Sequence, residues 1–404
     1  MSVKQRPELT AQANRSNGRH GWLRLTPAYS VAAVEMILAR YPSSTHILDP
    51  FAGTGTTGVV ARQLGKSADM TDINPFLVWL ARAKCATYTP TELAATHACA
   101  DFIAEATEHM NPSADHWLPP IHNITRWWNP PMLHGLAQLF QAIQLYAAEP
   151  SPMRDILLIA FCRVALHSSN AAFNHQSLSF KAPSAQQLLF TVDNVIIEYW
   201  RQEVDLLLAT AHTPIVGTGQ IWQDDARQLT AELSSYDLVL TSPPYVNRMS
   251  YIRELRPYMY WLGYLTHGRA AGDLDWQAIG GTWGCATSRL ATWVPAPDCY
   301  TPALLIPLLE SIKQSSPLLS SYVQRYFSDM YEHLKTVARL VQPGGHLAYI
   351  IGNSKFYTTL IPTEQILAVL MHHVGFTAVT IEPLRKRNSK KELVEFLVLA
   401  QQPQ

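Results

Sequence analysis

The chain has 404 residues, 48% hydrophobic and 15% charged, which suits two or three domains, or one large domain with insertions, built on a large core, and argues against global disorder. Lys plus Arg and Asp plus Glu both number 31, so the formal net charge is zero and the chain has no global pull toward nucleic acid, though it can still carry a local basic face. Five cysteines (Cys85, Cys99, Cys162, Cys285, Cys299) form no CxxC pair, which argues against a tetrathiolate zinc site or a disulfide framework and for reduced thiols.

The first twenty residues are polar and lack the apolar core of a signal peptide, which with the reduced thiols leads to the expectation of a cytoplasmic protein. Periodicity predicts a helix over Pro27–Arg40 with Val31, Val34, Ile37 and Leu38 on one face. A strand at His46–Leu48 leads into Asp49-Pro50-Phe51 and a glycine-rich turn, then a helix at Thr56–Leu64, a strand at Ala68–Ile73 and a helix at Pro75–Cys85. That alternation is the order of a parallel α/β sheet. Residues 1–90 read as the first part of a catalytic domain, and 91–215 as a helical insertion broken by prolines. The most apolar helical stretch, Asp155–Leu166, is interrupted by Arg163 and too short to cross a bilayer, so no membrane association is expected. The rest of the catalytic domain spans 216–404. It has a short strand at Gln220–Trp222, a buried strand at Tyr236–Leu240 and an irregular insert near 250–320. A helix at Tyr322–Leu340, a turn at Pro343-Gly344-Gly345 and a strand at His346–Ile351 come next. A helix at Glu364–His372 and a strand pair at Phe376–Glu382 and Leu393–Leu399 complete it.

Two motifs carry chemistry. In DPFAGTGTTG, Gly53, Gly55 and Gly58 sit between a strand end and a helix start, where glycine lets backbone approach a ligand. Asp72, at the end of the next strand, suits ribose hydroxyls, and Asp49, just before the turn, suits a cationic amino group better than a pyrophosphate. In TSPPY, two prolines fix φ and remove two N–H donors. The loop then offers acceptors, the Ser242 hydroxyl and the Pro243 carbonyl, to the hydrogens of an exocyclic amine. Pro244 stiffens the loop, and Tyr245 offers a face on which an extruded base stacks, worth about 1–3 kcal/mol.

With both motifs in place, the chain resembles the amino-methyltransferases that modify DNA, over roughly residues 20–90 and 220–400. DPFAGTGT looks like their cofactor motif and TSPPY like their catalytic motif. The resemblance implies a Rossmann-like seven-stranded methyltransferase sheet with a large helical insertion, S-adenosylmethionine as cofactor and double-stranded DNA as partner. It also implies a cognate restriction endonuclease acting independently. Phe51, Gly53, Gly55 and Thr56 would contact the cofactor, Asp72 and Ile73 its ribose side, and Asp224 or Asp225 its adenine amino group; Arg24–Ala28 would line its methionine end. The Ser-Pro-Pro-Tyr form resembles the cytosine-N4 group, and adenine-N6 enzymes more often carry Asp or Asn before Pro-Pro-Tyr. The cofactor motif precedes the catalytic motif here, as in several adenine enzymes, so adenine-N6 methylation is the alternative and RNA amino-methylation a further one. Cytosine-C5 chemistry needs a Pro-Cys nucleophile, and no such pair occurs.

Phosphate contacts need cations. Arg385, Arg387, Asn388 and Lys390 form the densest candidate cluster, between the last two strands, and Arg248 and Arg253 follow Tyr245. The insertion or residues 250–320 would read bases. His167 and His175 have no accompanying ligand set, so no metal site is expected.

Overall fold

The computed structural model describes residues 4–23, 29–111, 114–172, 179–180, 192–230, 235–247, 250–281, 285–387 and 392–404. Three short 3-10 turns (Pro7–Leu9, Ala11–Ser16, Gly18–Gly21) precede α1 (Val31–Arg40). Ser30 is extended and its hydroxyl caps the Ala33 N–H, so the helix starts later than the apolar periodicity alone suggested. Next come β1 (His46–Asp49), α2 (Thr56–Gln63), β2 (Ser67–Asp72) and α3 (Pro75–Cys85).

The insertion holds α4 (Pro90–Glu108), α5 (Ile124–Trp127), α6 (Pro130–Tyr146), α7 (Pro152–His167), a two-residue ribbon of β3 (Ala171–Ala172) with β4 (Ser179–Phe180), and α8 (Val192–Ala211). Pro130 and Pro152, read from sequence as breaks, are first residues of helices, where a missing N–H costs nothing; Asn129 and Ser151 cap those helices. These helices share one hydrophobic core with α3 and with residues 252–271.

The sheet resumes with β5 (Ile221–Gln223) and β6 (Tyr236–Thr241). The stretch expected to be irregular contains α9 (Arg256–Trp261), α10 (Ala270–Gln277), α11 (Cys285–Arg289) and α12 (Leu305–Ser315), mostly too short to register as periodicity. α13 (Pro317–Ala338) begins five residues before its expected start, capped by the Ser316 hydroxyl. β7 (Val341–Gly352) runs through the expected Pro-Gly-Gly turn. Tyr236 pairs with Val341 but Leu238 with His346, so the intervening residues bulge from the ladder. A hairpin of β8 (Ser354–Phe356) and β9 (Thr359–Ile361), α14 (Thr363–His373), β10 (Thr377–Lys386) and β11 (Val394–Gln401) complete the chain.

Seven strands make one Rossmann-like sheet in the order β10-β11-β7-β6-β1-β2-β5, with β11 antiparallel to its neighbours and the rest sharing one direction. Both faces are covered, which is why the central strands read as continuous apolar runs. Ile47, Leu238, Leu240, Ala348 and Ile350 pack with α1 and α2, while Leu48, Val239, Leu347 and Ile351 pack with α13 and α14 on the other face. Strand order reverses between β1 and β6, and both motifs leave the carboxyl ends of these two strands, the usual ligand crevice of such a sheet. Among the described residues no helix is long and apolar enough to cross a membrane.

Candidate functional site

A cavity open to solvent, about 890 Å³ with the solvent at its mouth included, lies over the β1/β6 crevice. Phe51, Gly53 and Thr54 of the glycine turn form one wall, and Asp72, Ile73 and Asn74 another. Ser242 and Pro244 close the β6 side, and Asp225 and Ala226 follow β5. The remaining wall was not foreseen. Tyr251, Ile252 and Leu255, with Gln277, Ala278 and Ile279, come from the region of weak periodicity.

The turn is built by glycines for different reasons. Gly55 has φ +79, and a Cβ there would lie 2.9 Å from Ala81 Cβ, so it serves helix packing. Gly53, φ +50, faces open space and donates its N–H to Asp72 Oδ2 at 2.8 Å. Asp72 Oδ1 accepts from the Asn74 N–H, also at 2.8 Å, leaving one lone pair on each oxygen for a ligand. Burial pushes the Asp72 carboxyl up to about 6, against the pull of these backbone donors.

Several expected site residues stand behind the wall. Asp49 does not face a ligand, which corrects the amino-group expectation. It is fully buried and accepts from the hydroxyls of Thr57 (2.5 Å), Thr241 (2.5 Å) and Tyr29 (3.1 Å) and from the Phe51 N–H (3.1 Å). Burial raises its pKa and these four donors oppose the rise. Its role is to tie the ends of β1 and β6 together. Gly55 and Thr56 are likewise inside the packing and not on the cavity. Asp224 accepts from the Asp225 N–H and the Thr230 hydroxyl, while Asp225 reaches the cavity. Asp225 is gripped by Arg227, which also bonds Asp329 (3.0 Å) and the Gln277 carbonyl (2.7 Å). Arg24–Ala28, Arg248, Asn388 and Lys390 lie outside the described residues, as does His175.

Beneath Phe51 lies His333, with ring centroids 4.7 Å apart. Burial drives its pKa down to about 4, so it is neutral. Its Nδ1 faces the Ala226 carbonyl, which can only accept; Nε2 therefore accepts from the Tyr349 hydroxyl. This chain supports two residues of the cavity wall from below, and nothing in the α13 sequence advertised it.

The proline loop is pinned at several atoms. The Ser242 hydroxyl donates to the Ile350 carbonyl (3.1 Å), which commits its hydrogen and leaves its oxygen as an acceptor. The Tyr326 hydroxyl donates to the Pro244 carbonyl (2.7 Å), and the Tyr245 N–H donates to the Tyr251 hydroxyl (2.7 Å). Among the described residues no donor engages the Pro243 carbonyl.

Tyr245 is half-buried. Its ring lies against Gly352, where a Cβ would come within 2.8 Å of Cε2, and the Arg387 guanidinium sits 5.5 Å from the ring centroid. Burial first, then the adjacent Glu395 carboxylate, hold the phenol well above its ordinary pKa, so it stays protonated. Arg385 is also corrected as a phosphate contact: it forms a two-point pair with Glu395 across β10 and β11 at 2.6 and 2.7 Å, and leaving would strand a buried carboxylate. Arg387 donates to the Asn353 carbonyl (3.2 Å). Arg253 is half-buried and makes no ion pair among the described residues. Among those residues no group of three or more His, Cys, Asp or Glu side chains could hold a metal ion.

The sheet order and its crevice are those of a Rossmann-like α/β fold. The chain is similar to two curated methyltransferases. Type II methyltransferase M.MvaI of Kocuria varians is 22% identical over 374 residues, covering 87% of this chain and 80% of that protein. Type II methyltransferase M.BsoBI of Geobacillus stearothermophilus is 18% identical, covering 96% and 85%. No protein-family model matches. Solved structures with some likeness include TrmN from Thermus thermophilus (10% identity, TM-score 0.31, 97% of this chain). Another is the rRNA methyltransferase aviRa from Streptomyces viridochromogenes (11%, TM-score 0.30, 93% of this chain and 86% of that one). The chain spans 52% of the TrmN chain.

Proposed function

We propose that this protein is an S-adenosylmethionine-dependent DNA methyltransferase acting on an exocyclic amino group, cytosine N4 ahead of adenine N6, in a base flipped from double-stranded DNA. The observation that carries the reading is that the glycine turn and the Ser-Pro-Pro-Tyr loop wall one cavity and are joined behind it through Asp49 and Thr241. A type II restriction-modification setting follows from the relatives' names.

The cavity suits the cofactor chemically. An acid with free lone pairs, Asp72, stands at the second strand for vicinal hydroxyls, and Phe51, Ile73, Leu255 and Ile279 give flat apolar contact for a purine. When bound, S-adenosylmethionine supplies an activated methyl group, so the protein needs placement more than a strong base. Ser242 and Pro243 present acceptors for the amine hydrogens, and the proline backbone keeps competing donors away. The amine's proton leaves late, to an acceptor of this loop or to water.

Methylation of plasmid DNA by the purified protein with labelled cofactor, followed by mass analysis of nucleosides, tests the reading. N4-methylcytosine is the expected product. N6-methyladenine would move the target to the alternative, and no transfer to DNA would sink the proposal.

Asp72 gives a second test. Its ionised form accepts ribose hydroxyls, so cofactor affinity should be full above pH 6 and decline below it, approaching about tenfold weaker per unit. Asp72→Ala should weaken binding by about 1.5–3 kcal/mol and abolish that pH dependence. A flat calorimetric profile in the unsubstituted protein would place the ribose elsewhere.

A further inference from the structure

Tyr251 stands where the segment folded over the crevice meets the proline loop. It lines the cavity with Ser242 and Pro244, and its hydroxyl accepts the Tyr245 N–H at 2.7 Å. The other side of the same peptide is held by Tyr326, whose hydroxyl donates to the Pro244 carbonyl at 2.7 Å. The two phenols differ in what they have left. Tyr326 spends its hydrogen on the loop. Tyr251 receives a hydrogen there, and among the described residues nothing accepts its own. Burial pushes its pKa up to about 12, against the pull of the Tyr245 N–H and the Arg387 charge, so the phenol keeps its hydrogen at neutral pH. A phenol that accepts one bond and makes none has a donor to offer the cavity it lines.

The loop on which this donor rests has the reverse character. Ser242 has its hydrogen committed to Ile350 and Pro243 has no N–H, so both offer oxygen acceptors. A donor beside acceptors matches a base edge that carries an amine next to an unprotonated ring nitrogen: N4 and N3 in cytosine, N6 and N1 in adenine. Guanine and thymine show a carbonyl beside a ring N–H at the same edge, which would set acceptor against acceptor and donor against donor.

We propose that Tyr251 donates its hydroxyl hydrogen to the ring nitrogen beside the target amine, selecting amino-bearing bases and turning the amine toward the Ser242 and Pro243 acceptors. This rests on the transfer to a base amine proposed above. The competing role is a brace for the Tyr245 peptide and nothing more.

A coupling cycle separates the two roles. The substrate is an oligonucleotide duplex carrying the site found methylated on plasmid DNA. Its target base is either ordinary or lacks the one ring nitrogen: 3-deazacytosine for cytosine, 1-deazaadenine for adenine. With the unsubstituted protein the deaza base should lower kcat/KM by about 10- to 100-fold, the scale of a buried donor left without its acceptor. Tyr251→Phe should lose at least as much on the ordinary base, since it also frees the Tyr245 N–H. On the deaza base it should lose no more than about threefold further, because one contact is lost only once. Tyr326→Phe loosens the same peptide but leaves the Tyr251 hydroxyl in place, so its loss should multiply with that of the deaza base. Losses that multiply in Tyr251→Phe, or a Tyr326→Phe that couples as strongly, overturn the inference and leave amine methylation standing. An unsubstituted protein indifferent to the ring nitrogen overturns it without any variant. No transfer to any ordinary base ends both.

Discussion

Asp49→Ala is expected to lower the unfolding free energy by about 3 kcal/mol and cut methyl transfer by about 100-fold. The carboxylate is the common acceptor for donors on four separate segments: Tyr29 before α1, Phe51 in the turn, Thr57 in α2 and Thr241 at the end of β6. Removing it leaves the Phe51 N–H and the Thr241 hydroxyl without their acceptor, while the Tyr29 and Thr57 hydroxyls, already in contact, can still bond each other; each unsatisfied buried group costs about 1–3 kcal/mol before relaxation. The activity loss has a separate cause. Thr241 precedes Ser242 and Asp49 precedes the glycine turn, so the Thr241–Asp49 bond sets the spacing between the two halves of the cavity. Asp49→Asn keeps the shape and one carbonyl acceptor. Because hydroxyls rotate, Thr57 or Thr241 can accept from the new amide, and a smaller loss, about 1–2 kcal/mol, is expected. Urea unfolding with single-turnover kinetics checks both effects. Full stability in Asp49→Ala would mean the donors find other partners and the tether is not structural.

This residue also shows where sequence reading stopped. That DPFAGTGT ends a strand and opens a helix was legible, because glycine spacing and the following apolar helix are local. Which way Asp49 points was not. Three hydroxyls distributed over residues 29 to 241 decide it, and any of them alone is an unremarkable Tyr or Thr. The same limit explains Arg385, which looked like part of a basic loop until the β10–β11 register set it opposite Glu395. Tyr251, Leu255 and Ile279 carry no period of their own and become a cavity wall only by folding over the crevice. Nothing in the residues around Lys84 marks it as enclosed. Its full enclosure comes from the N-terminal segment, Arg19 and His20, lying across α3. By contrast, the central strands and the proline loop were legible because burial on both faces, and rigid backbone, each leave a mark in consecutive residues.

Gly352→Val should reduce turnover by about 100-fold while leaving S-adenosylhomocysteine affinity within about twofold. Gly352 ends β7 with ordinary backbone angles; what it provides is room. A Cβ would stand 2.8 Å from Tyr245 Cε2, 2.9 Å from Cδ2 and 3.1 Å from Arg387 Nη1, so the ring or the guanidinium must move. The ring's backbone is tied to its surroundings, the Tyr245 N–H to the Tyr251 hydroxyl and the preceding Pro244 carbonyl to Tyr326, so a ring pushed beyond what its side-chain torsions absorb strains both bonds. Displacement is therefore passed to the loop bearing Ser242 and Pro243, the acceptors assigned to the amine. The cofactor side is spared because neither Gly352 nor Tyr245 borders the cavity. Tyr245→Ala should produce a loss of similar size by emptying the slot between Gly352 and Arg387. The double variant should be no worse than either single one, since both act on one placement. Single-turnover transfer and calorimetric binding measure the two quantities separately. If Gly352→Val transfers methyl groups at the unsubstituted rate, or if the two losses multiply in the double variant, the packed position of Tyr245 is not what aligns the loop.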